Sequence, residues 1–523
     1  MSPRPWPGTA QILPELLSWA STRRWFPLKS GPAPQASTTR VVVDAELAPG
    51  VHDLVLALPR PSQGEAATGA TADAAAGTDG TDGATGVEDV LLHVPLVAED
   101  ADALPGLTGP KEDAQAAGFV LADGTSAIVD APHHPAFWQA WAAAAIAAGS
   151  TLSEQAATAI IQRAERLHVT TGEQSNTSVI LPAPTAGPGR DPAAVPPEDL
   201  ATGDLIVKLF RVLAPGRNPD VEVSVALARS GWDRVRTPVA WSVLELPGTG
   251  QDGQAATADG AVATTFVPQA TDGFELFCSL AGSDDGEGGS RRLLATGLAR
   301  DLGATTAQMH SYLATSLGVS EPASPAELRR GLAQRAHWAL AEVPSLQERL
   351  PGLADHVAQV LDAVAALDRL EMATRVHGDY HLGQTLHEDQ DPGRWYVLDF
   401  EGEPLRPLAD RRRPDQPLRD VAGMLRSFDY AAAVGQARDP RWLEAVREAF
   451  TAGYRQVRPA GTAAARHRAD VLLAALELDK ALYEAVYEAR NRPDWLTIPL
   501  AGIRQIIGTK SPAKDSARGR VEV

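Results

Sequence analysis

A two-lobed α+β fold is what this sequence predicts, and three observations carry the prediction. Strand-like apolar runs crowd the first half of the chain. Long stretches with helical apolar spacing fill the second half, after Asp272. Among those helices lies one short loop–strand–loop segment that holds His377, Asp379, Gln384 and Asp399. At 523 residues the chain has room for several structural units and a large core.

Residues 1–132 are expected to form an N-terminal α+β cap subdomain, with a helix over 12–19 and strands over 39–45, 53–57 and 89–97. A helix over 136–148 leads out of it. Residues 133–268 read as a β-rich N-lobe: strands over 164–169, 177–181, 204–209, 240–244 and 263–267 surround one helix over 221–230. Residues 269–523 read as a mainly helical C-lobe, with helices over 293–313, 325–340, 353–370, 417–433, 440–455 and 463–490. The stretches 62–86, 182–197 and 248–260 are rich in Ala, Gly, Pro, Thr, Gln and Asp. They offer too little apolar surface to offset their ordering entropy, so they read as mobile surface loops. No repeat of fixed period is visible.

Composition narrows the function. A formal charge of −19 argues against a nucleic-acid or anionic-membrane surface, since both favour basic patches. It leaves ATP open, because a locally basic pocket suffices. Cys278 is the only cysteine, so no intrachain disulfide forms and a reducing compartment fits. No secretory leader is expected at MSPRPWPGTAQ, and the apolar run 140–148 is too short to span a bilayer. A cytoplasmic location is expected.

The chemistry concentrates in HGDYHLGQ (377–384) and YVLDFEG (396–402). Phosphoryl transfer needs a carboxylate that positions the acceptor, an amide five residues on, and a second carboxylate after a short strand. Asp379 and Gln384 have that spacing, and Asp399 follows an apolar triplet. An isolated HxD is usually only a turn, but here the two segments stand in the right order at the right distance. In LIVKLF (205–210), Lys208 sits on an expected strand, and Glu222 follows on a helix that begins near Pro219. A strand lysine paired with a helix glutamate is how kinases hold nucleotide phosphates. Asp220 competes for the glutamate's part, and a surface lysine is the plainer alternative.

The polar run 170–178 occupies the place of a phosphate loop but has one glycine, so it fails the G-x-G-x-x-G pattern. Small side chains at Ser175, Asn176 and Thr177 could still let backbone N–H groups reach phosphate oxygens; a polar β-turn is the alternative. The run 266–273 joins the two expected lobes, and Gln269 there would face an adenine. The triplet Arg411–Arg413 reads as a solvated face, with phosphate contact or loop ordering as alternatives. Lys480, Tyr483, Glu484 and Tyr487 recur at i, i+3, i+4 and i+7, on one helix face. Aromatic stripes are usually core, but Lys and Glu within this one suit a sugar site better.

These residues resemble the actinobacterial maltokinases, relatives of the aminoglycoside phosphotransferases and other protein-kinase-like enzymes. The similar segments are GEQSNTS (172–178), LIVKLFR (205–211), PGRNPDVEV (215–223), HGDYHLGQTL (377–386), the block from VLDFEGEP (397–404) to RSFDYAA (426–432), and ARNRPDWLTIPL (489–500). The resemblance implies a bilobal protein-kinase-like fold with an extra N-terminal cap. It also implies ATP- and Mg²⁺-dependent phosphorylation of maltose at its reducing end, giving maltose 1-phosphate. Asp379 would then be catalytic, Gln384 and Asp399 would hold Mg²⁺, and Lys208 with Glu222 would hold ATP. Lys480, Tyr483 and Tyr487 would face the sugar, with His377 a further candidate. Trehalose synthase, in a route from trehalose to α-glucan, is the partner the resemblance suggests. RWFPLKS (24–30) is a loosened form of the cap's usual segment.

Three other readings compete. Gly378 in place of an arginine, and no A-P-E segment after Asp399, argue against a protein kinase. A kinase for glucosamine, another small sugar or an aminoglycoside is the nearest rival; Lys480 on the acceptor face disfavours polycations. A non-catalytic scaffold docking on trehalose synthase would not need to keep Lys208, Asp379, Gln384 and Asp399.

Overall fold

The computed structural model describes residues 3–29, 33–60, 89–108, 116–170, 176–184, 203–250, 254–267, 269–391, 393–403 and 406–508. The chain divides into two compact units, Met1–Val225 with Arg236–Pro268, and Ala226–Val235 with Gln269–Val523. No helix among the described residues is long and apolar enough to cross a membrane.

The first unit opens with α1 (Thr9–Ser21), followed by β1 (Arg40–Ala48), β2 (Val51–Leu58), β3 (Val90–His93), β4 (Leu96–Asp100), β5 (Gly118–Val120) and β6 (Ser126–Asp130). Helices α2 (Pro135–Ala147) and α3 (Glu154–Arg163) come next, then β7 (His168–Val169), β8 (Asn176–Leu181), β9 (Leu205–Phe210), β10 (Val212–Leu213), α4 (Pro219–Arg229), β11 (Pro238–Leu246) and β12 (Ala256–Thr265). One sheet runs β10-β3-β2-β4-β6-β5 with β1 paired to β2, and a second runs β11-β12-β9-β8-β7. All eight residues of β2 are buried, because β1, β3 and β4 all pair with it. Burial forces its polar residues to find partners: His52 meets Asp44 at 2.7 Å, and Asp53 meets His93 at 2.6 Å.

Two expectations fail in this unit. Residues 164–169 are mainly a 3₁₀ turn (Ala164–Arg166), with only two residues of strand, and α3 precedes them unforeseen. Its buried face is mostly alanine, too weakly apolar to announce a period. The stretch 248–260 is not all loop, since Ala256–Gly260 begins the ten-residue β12. Small residues fit there because the strand packs closely: a Cβ on Gly260 would stand 3.0 Å from Ser242 Oγ. Residues 62–86 and 185–197 lie outside the described residues.

The second unit carries β13 (Ala270–Asp272), α5 (Gly273–Gly282), α6 (Ser290–Leu317), β14 (Val319–Ser320), α7 (Pro325–Glu342), α8 (Ser345–Arg349), α9 (Leu353–Ala365) and β15 (Ala373–Thr374). It continues with β16 (Thr385–Glu388), β17 (Trp395–Val397), α10 (Leu408–Arg411), α11 (Leu418–Val434), α12 (Arg441–Val457), α13 (Ala463–Asn491) and α14 (Thr497–Gly508). Asp272 caps α5 by accepting from the N–H groups of Phe274 and Glu275, and Ser324 with Glu327 forms a capping box on α7. Strands β13, β16 and β17 make a small antiparallel sheet that frames the acidic loop. Helices α7, α9, α13 and α14 share one apolar core, which is why the helical spacing is legible. The mixed α/β fold is kinase-like, as the sequence predicted.

Helices α6 and α12 touch through two glycines. A Cβ on Gly303 would fall 2.0 Å from the Phe450 carbonyl oxygen, and one on Gly453 would fall 1.9 Å from that of Arg300. Gly297 lies on the same α6 with nothing near its would-be Cβ. Gly303→Ala should therefore lower unfolding stability by about 1–3 kcal/mol through overpacking. Gly297→Ala should raise it by roughly 0.4–1 kcal/mol, by restricting the unfolded chain. Urea unfolding of both variants checks the opposite signs.

Candidate active site

The loop 377–384 has little regular structure of its own, and α11 gives it its shape. Asp420, Gly423 and Ser427 fall at i, i+3 and i+7 of that helix, on one face. The Asp420 carboxylate, 1% exposed, accepts from the backbone N–H of His377 (2.8 Å) and Gly378 (3.0 Å) and from His310 Nε2 (3.0 Å). Ser427 Oγ accepts from the Leu382 N–H at 3.0 Å. Gly423 has no side chain because the Tyr380 carbonyl would stand 2.6 Å from its Cβ. Gly378 takes φ +85°, which a larger residue adopts only under strain. Asp379 then follows at the loop's apex.

His377 is buried, and both its ring nitrogens are occupied. Nε2 donates to the Leu398 carbonyl at 2.8 Å, while Nδ1 accepts from the Asp379 N–H at 3.4 Å. The ring also packs on Tyr380 and Phe400, so it is a strut inside the loop. The expected sugar contact from His377 has no polar ring atom left to make it.

Gln384 Nε2 lies 3.3 Å from Asp399 Oδ2, and the Leu398 N–H donates to the Gln384 carbonyl at 2.9 Å. Asp399 sits at φ +56°, an uncommon conformation for a residue with a side chain. Arg411 folds back on this loop, donating from Nε to the Arg406 carbonyl at 2.7 Å and lying against Gly402. Of the two alternatives for the basic triplet, Arg411 is thus in contact with the loop, while Arg413 pairs outward with Asp410.

Lys480 of α13 places its ammonium 3.4 Å from Asp379 Oδ1 and 3.2 Å from Glu403 Oε1. Burial alone would lower its pKa, but Glu403 and then Asp379 outweigh that and hold it above the usual lysine value. Burial likewise works to raise Glu403, and Lys480 and Arg406 overcome it, bringing the carboxyl to about 2. Tyr483 lies half-buried beside the Lys480 ammonium and near Trp338, and Tyr487 is 44% exposed. Glu484 turns to Arg426 at 2.9 Å, so it does not share their exposed face. Sequence reasoning assigned no part to Glu403, although it stands four residues after Asp399. Asp420 and His310 gave no signal beyond lying on helices.

In the first unit, Lys208 Nζ lies 3.3 Å from Asp220 Oδ2. Glu222 sits half-buried in the same first turn of α4. Buried Asp259 secures that turn, accepting from Arg217 Nε (3.0 Å) and the Asn218 N–H (2.6 Å). Asn176 pairs with Phe210 in the β8–β9 ladder, and Thr177 Oγ1 accepts from Arg211 Nε at 2.8 Å. Ser175 lies outside the described residues. In the second unit, Gln269, at φ +48°, uses its carbonyl to accept from the Asp389 N–H at 3.0 Å, and its side chain bonds Gln390.

Burial holds His310 below its ordinary pKa of 6.5, against the pull of Asp420. Asp420 is also held below its ordinary value, its burial outweighed by the bonds from His310 and Gly378. A histidine whose folded pKa is depressed binds its proton more readily once unfolded, so stability should fall as pH drops below 6.5. Lowered Asp420 adds a further loss below its ordinary 3.8. His310→Gln should flatten the slope just below pH 6.5 in urea titrations; an unchanged slope would remove His310 from that role.

A family model described as "Phosphotransferase enzyme family" matches residues 249–460. The chain is 32% identical over 335 residues to a glucosamine kinase of Streptacidiphilus jiangxiensis, covering 58% of this chain and 69% of that protein. It is 25% identical over 325 residues to a glucosamine kinase of Mycolicibacterium smegmatis, covering 59% of this chain and 77% of that one. A solved glucosamine kinase in complex with glucosamine, ADP and inorganic phosphate shares the fold at TM-score 0.57 and 21% identity, over 94% of this chain and 98% of that one. A glucosamine kinase in another crystal form gives 0.58 at 22%, over 94% and 98%. A glycine-bent loop anchored on a helix carboxylate, with Asp379 at its apex and Gln384 beside Asp399, thus comes with sequence kinship over most of a known kinase: the chain belongs to the phosphotransferase enzyme family.

Proposed function

We propose that this phosphotransferase moves the terminal phosphoryl group of ATP to the anomeric hydroxyl of a neutral disaccharide, maltose, forming maltose 1-phosphate. The observation that carries the reading is Lys480, whose ammonium stands 3.4 Å from Asp379 on the helix face that also bears Tyr483 and Tyr487. Paired with both Glu403 and Asp379, this ammonium occupies the carboxylates that a protonated amino sugar would need, and a neutral sugar needs none. From Lys480 to Tyr487 the helix rises about 10 Å, room for two sugar rings. Tyr faces and charged tips are what such rings bind.

In this reading Asp379 accepts the proton of the anomeric hydroxyl as its oxygen attacks phosphorus and the bond to the leaving ADP oxygen breaks. Lys480, itself held by Glu403, fixes the Asp379 carboxylate and the sugar beside it. Lys208, with Asp220 and Glu222 nearby, takes the nucleotide phosphates. The Asp399 carboxylate and the Gln384 amide, turned to present oxygen, make a hard donor pair that suits Mg²⁺. When bound, that ion neutralises phosphate charge. His377 acts through the loop and not on the sugar. Trehalose synthase as a partner rests on the sequence resemblance, and a cytoplasmic setting rests on the composition, with its single cysteine.

A second reading has one observation in its favour: the relatives named above are called glucosamine kinases. A panel of maltose, glucose and glucosamine with ATP separates the two. Maltose should support turnover well above either monosaccharide. Lys480→Ala should raise the KM for maltose by about tenfold or more and narrow the preference over glucosamine. Turnover with glucosamine alone would sink the maltose assignment.

A further inference from the structure

The strand that carries Lys208 ends in a knot of buried contacts from the N-terminal sheet. Arg211, fully buried three residues after Lys208, donates from both terminal nitrogens to Asp130 of β6, at 2.9 and 2.6 Å. Its Nε donates to Thr177 of β8 at 2.8 Å, and its guanidinium lies 4.1 Å above the Trp25 ring. Next to it, the His93 N–H donates to the Arg211 carbonyl at 2.8 Å, and His93 Nδ1 donates to the Phe210 carbonyl at 2.9 Å. His93 Nε2 in turn is held by Asp53 at 2.6 Å. Residues from α1's connecting loop, β2, β3 and β6 therefore converge on the dipeptide 210–211.

We propose that the N-terminal sheet is a brace for the nucleotide lysine, with Arg211 as the positioning residue. The proposal rests on the assignment of Lys208 to the ATP phosphates. A planar guanidinium engaged by a two-oxygen carboxylate, a hydroxyl and an indole face has one orientation only. That orientation fixes the end of β9 in both translation and twist. Lys208 lies one turn of the pleat away, and Ser178, its ladder partner, neighbours Thr177. The same guanidinium thus sets the registers of β8 and β9 together. Mispositioning a phosphate-binding ammonium by a fraction of an ångström weakens binding without changing any group that touches the nucleotide.

Calorimetric titration of the full chain with Mg²⁺–ADP tests this without reference to the sugar. Asp130→Asn should weaken ADP binding about tenfold. Lys208→Ala should weaken it at least as much, and the double variant should bind no worse than Lys208→Ala alone, since Arg211 acts through the lysine. If Asp130→Asn fails to fold, Trp25→Leu carries the test, with a smaller loss of the same non-additive kind. Wild-type affinity in a folded brace variant beside a weakened Lys208→Ala, or effects that simply add, would overturn the brace. Wild-type affinity in Lys208→Ala would sink the lysine's assignment and the brace with it.

Discussion

The Asp420 carboxylate, buried and accepting three hydrogen bonds, is the interaction on which the second unit's chemistry depends. A loop that bends through a glycine at φ +85° leaves backbone N–H groups pointing inward, with no strand or helix to satisfy them. A carboxylate is the acceptor best able to take two at once and remain charged in a dry setting, provided a donor such as His310 shares the load. Tyr454 completes the chain, its hydroxyl 2.9 Å from His310 Nδ1. The bend is therefore held from beneath by α11 and α6, two of the longer helices, and Asp379 inherits their rigidity.

How much of this was legible follows from how local each signal is. The long helices of the second unit announced themselves because each lays one apolar stripe on a shared core. Asp379, Gln384 and Asp399 were legible because their spacing is set by a loop and a short hairpin. Asp420 was not, since its partners lie 42 and 43 residues away and an aspartate on a helix has many plainer explanations. Glu403 was hidden for the same reason: its meaning depends on Lys480, 77 residues on. His377 misled in the opposite direction. Its place beside Asp379 suggested contact with substrate, whereas packing turned both nitrogens inward.

The first unit shows the same division. Its apolar strands were readable, but α3 hides behind alanines and β12 behind small polar residues. What could not be read at all was the set of buried polar contacts, the His93–Asp53 hydrogen bond and the Arg211–Asp130 ion pair, that ties the strands to one another. Such pairs add little net stability over an apolar substitute, yet removing one member strands a buried charge. They specify one arrangement of the sheets. Lys208, at the centre of β9, sits where that specification converges.

In the proposed reaction the loop 377–384 presents Asp379 to an acceptor hydroxyl. The most direct measurement is turnover of Asp379→Asn with ATP and the sugar the wild type prefers, alongside ADP affinity. Turnover should fall by about 10²–10⁴-fold, with nucleotide affinity little changed. Turnover close to wild type in that variant would contradict it.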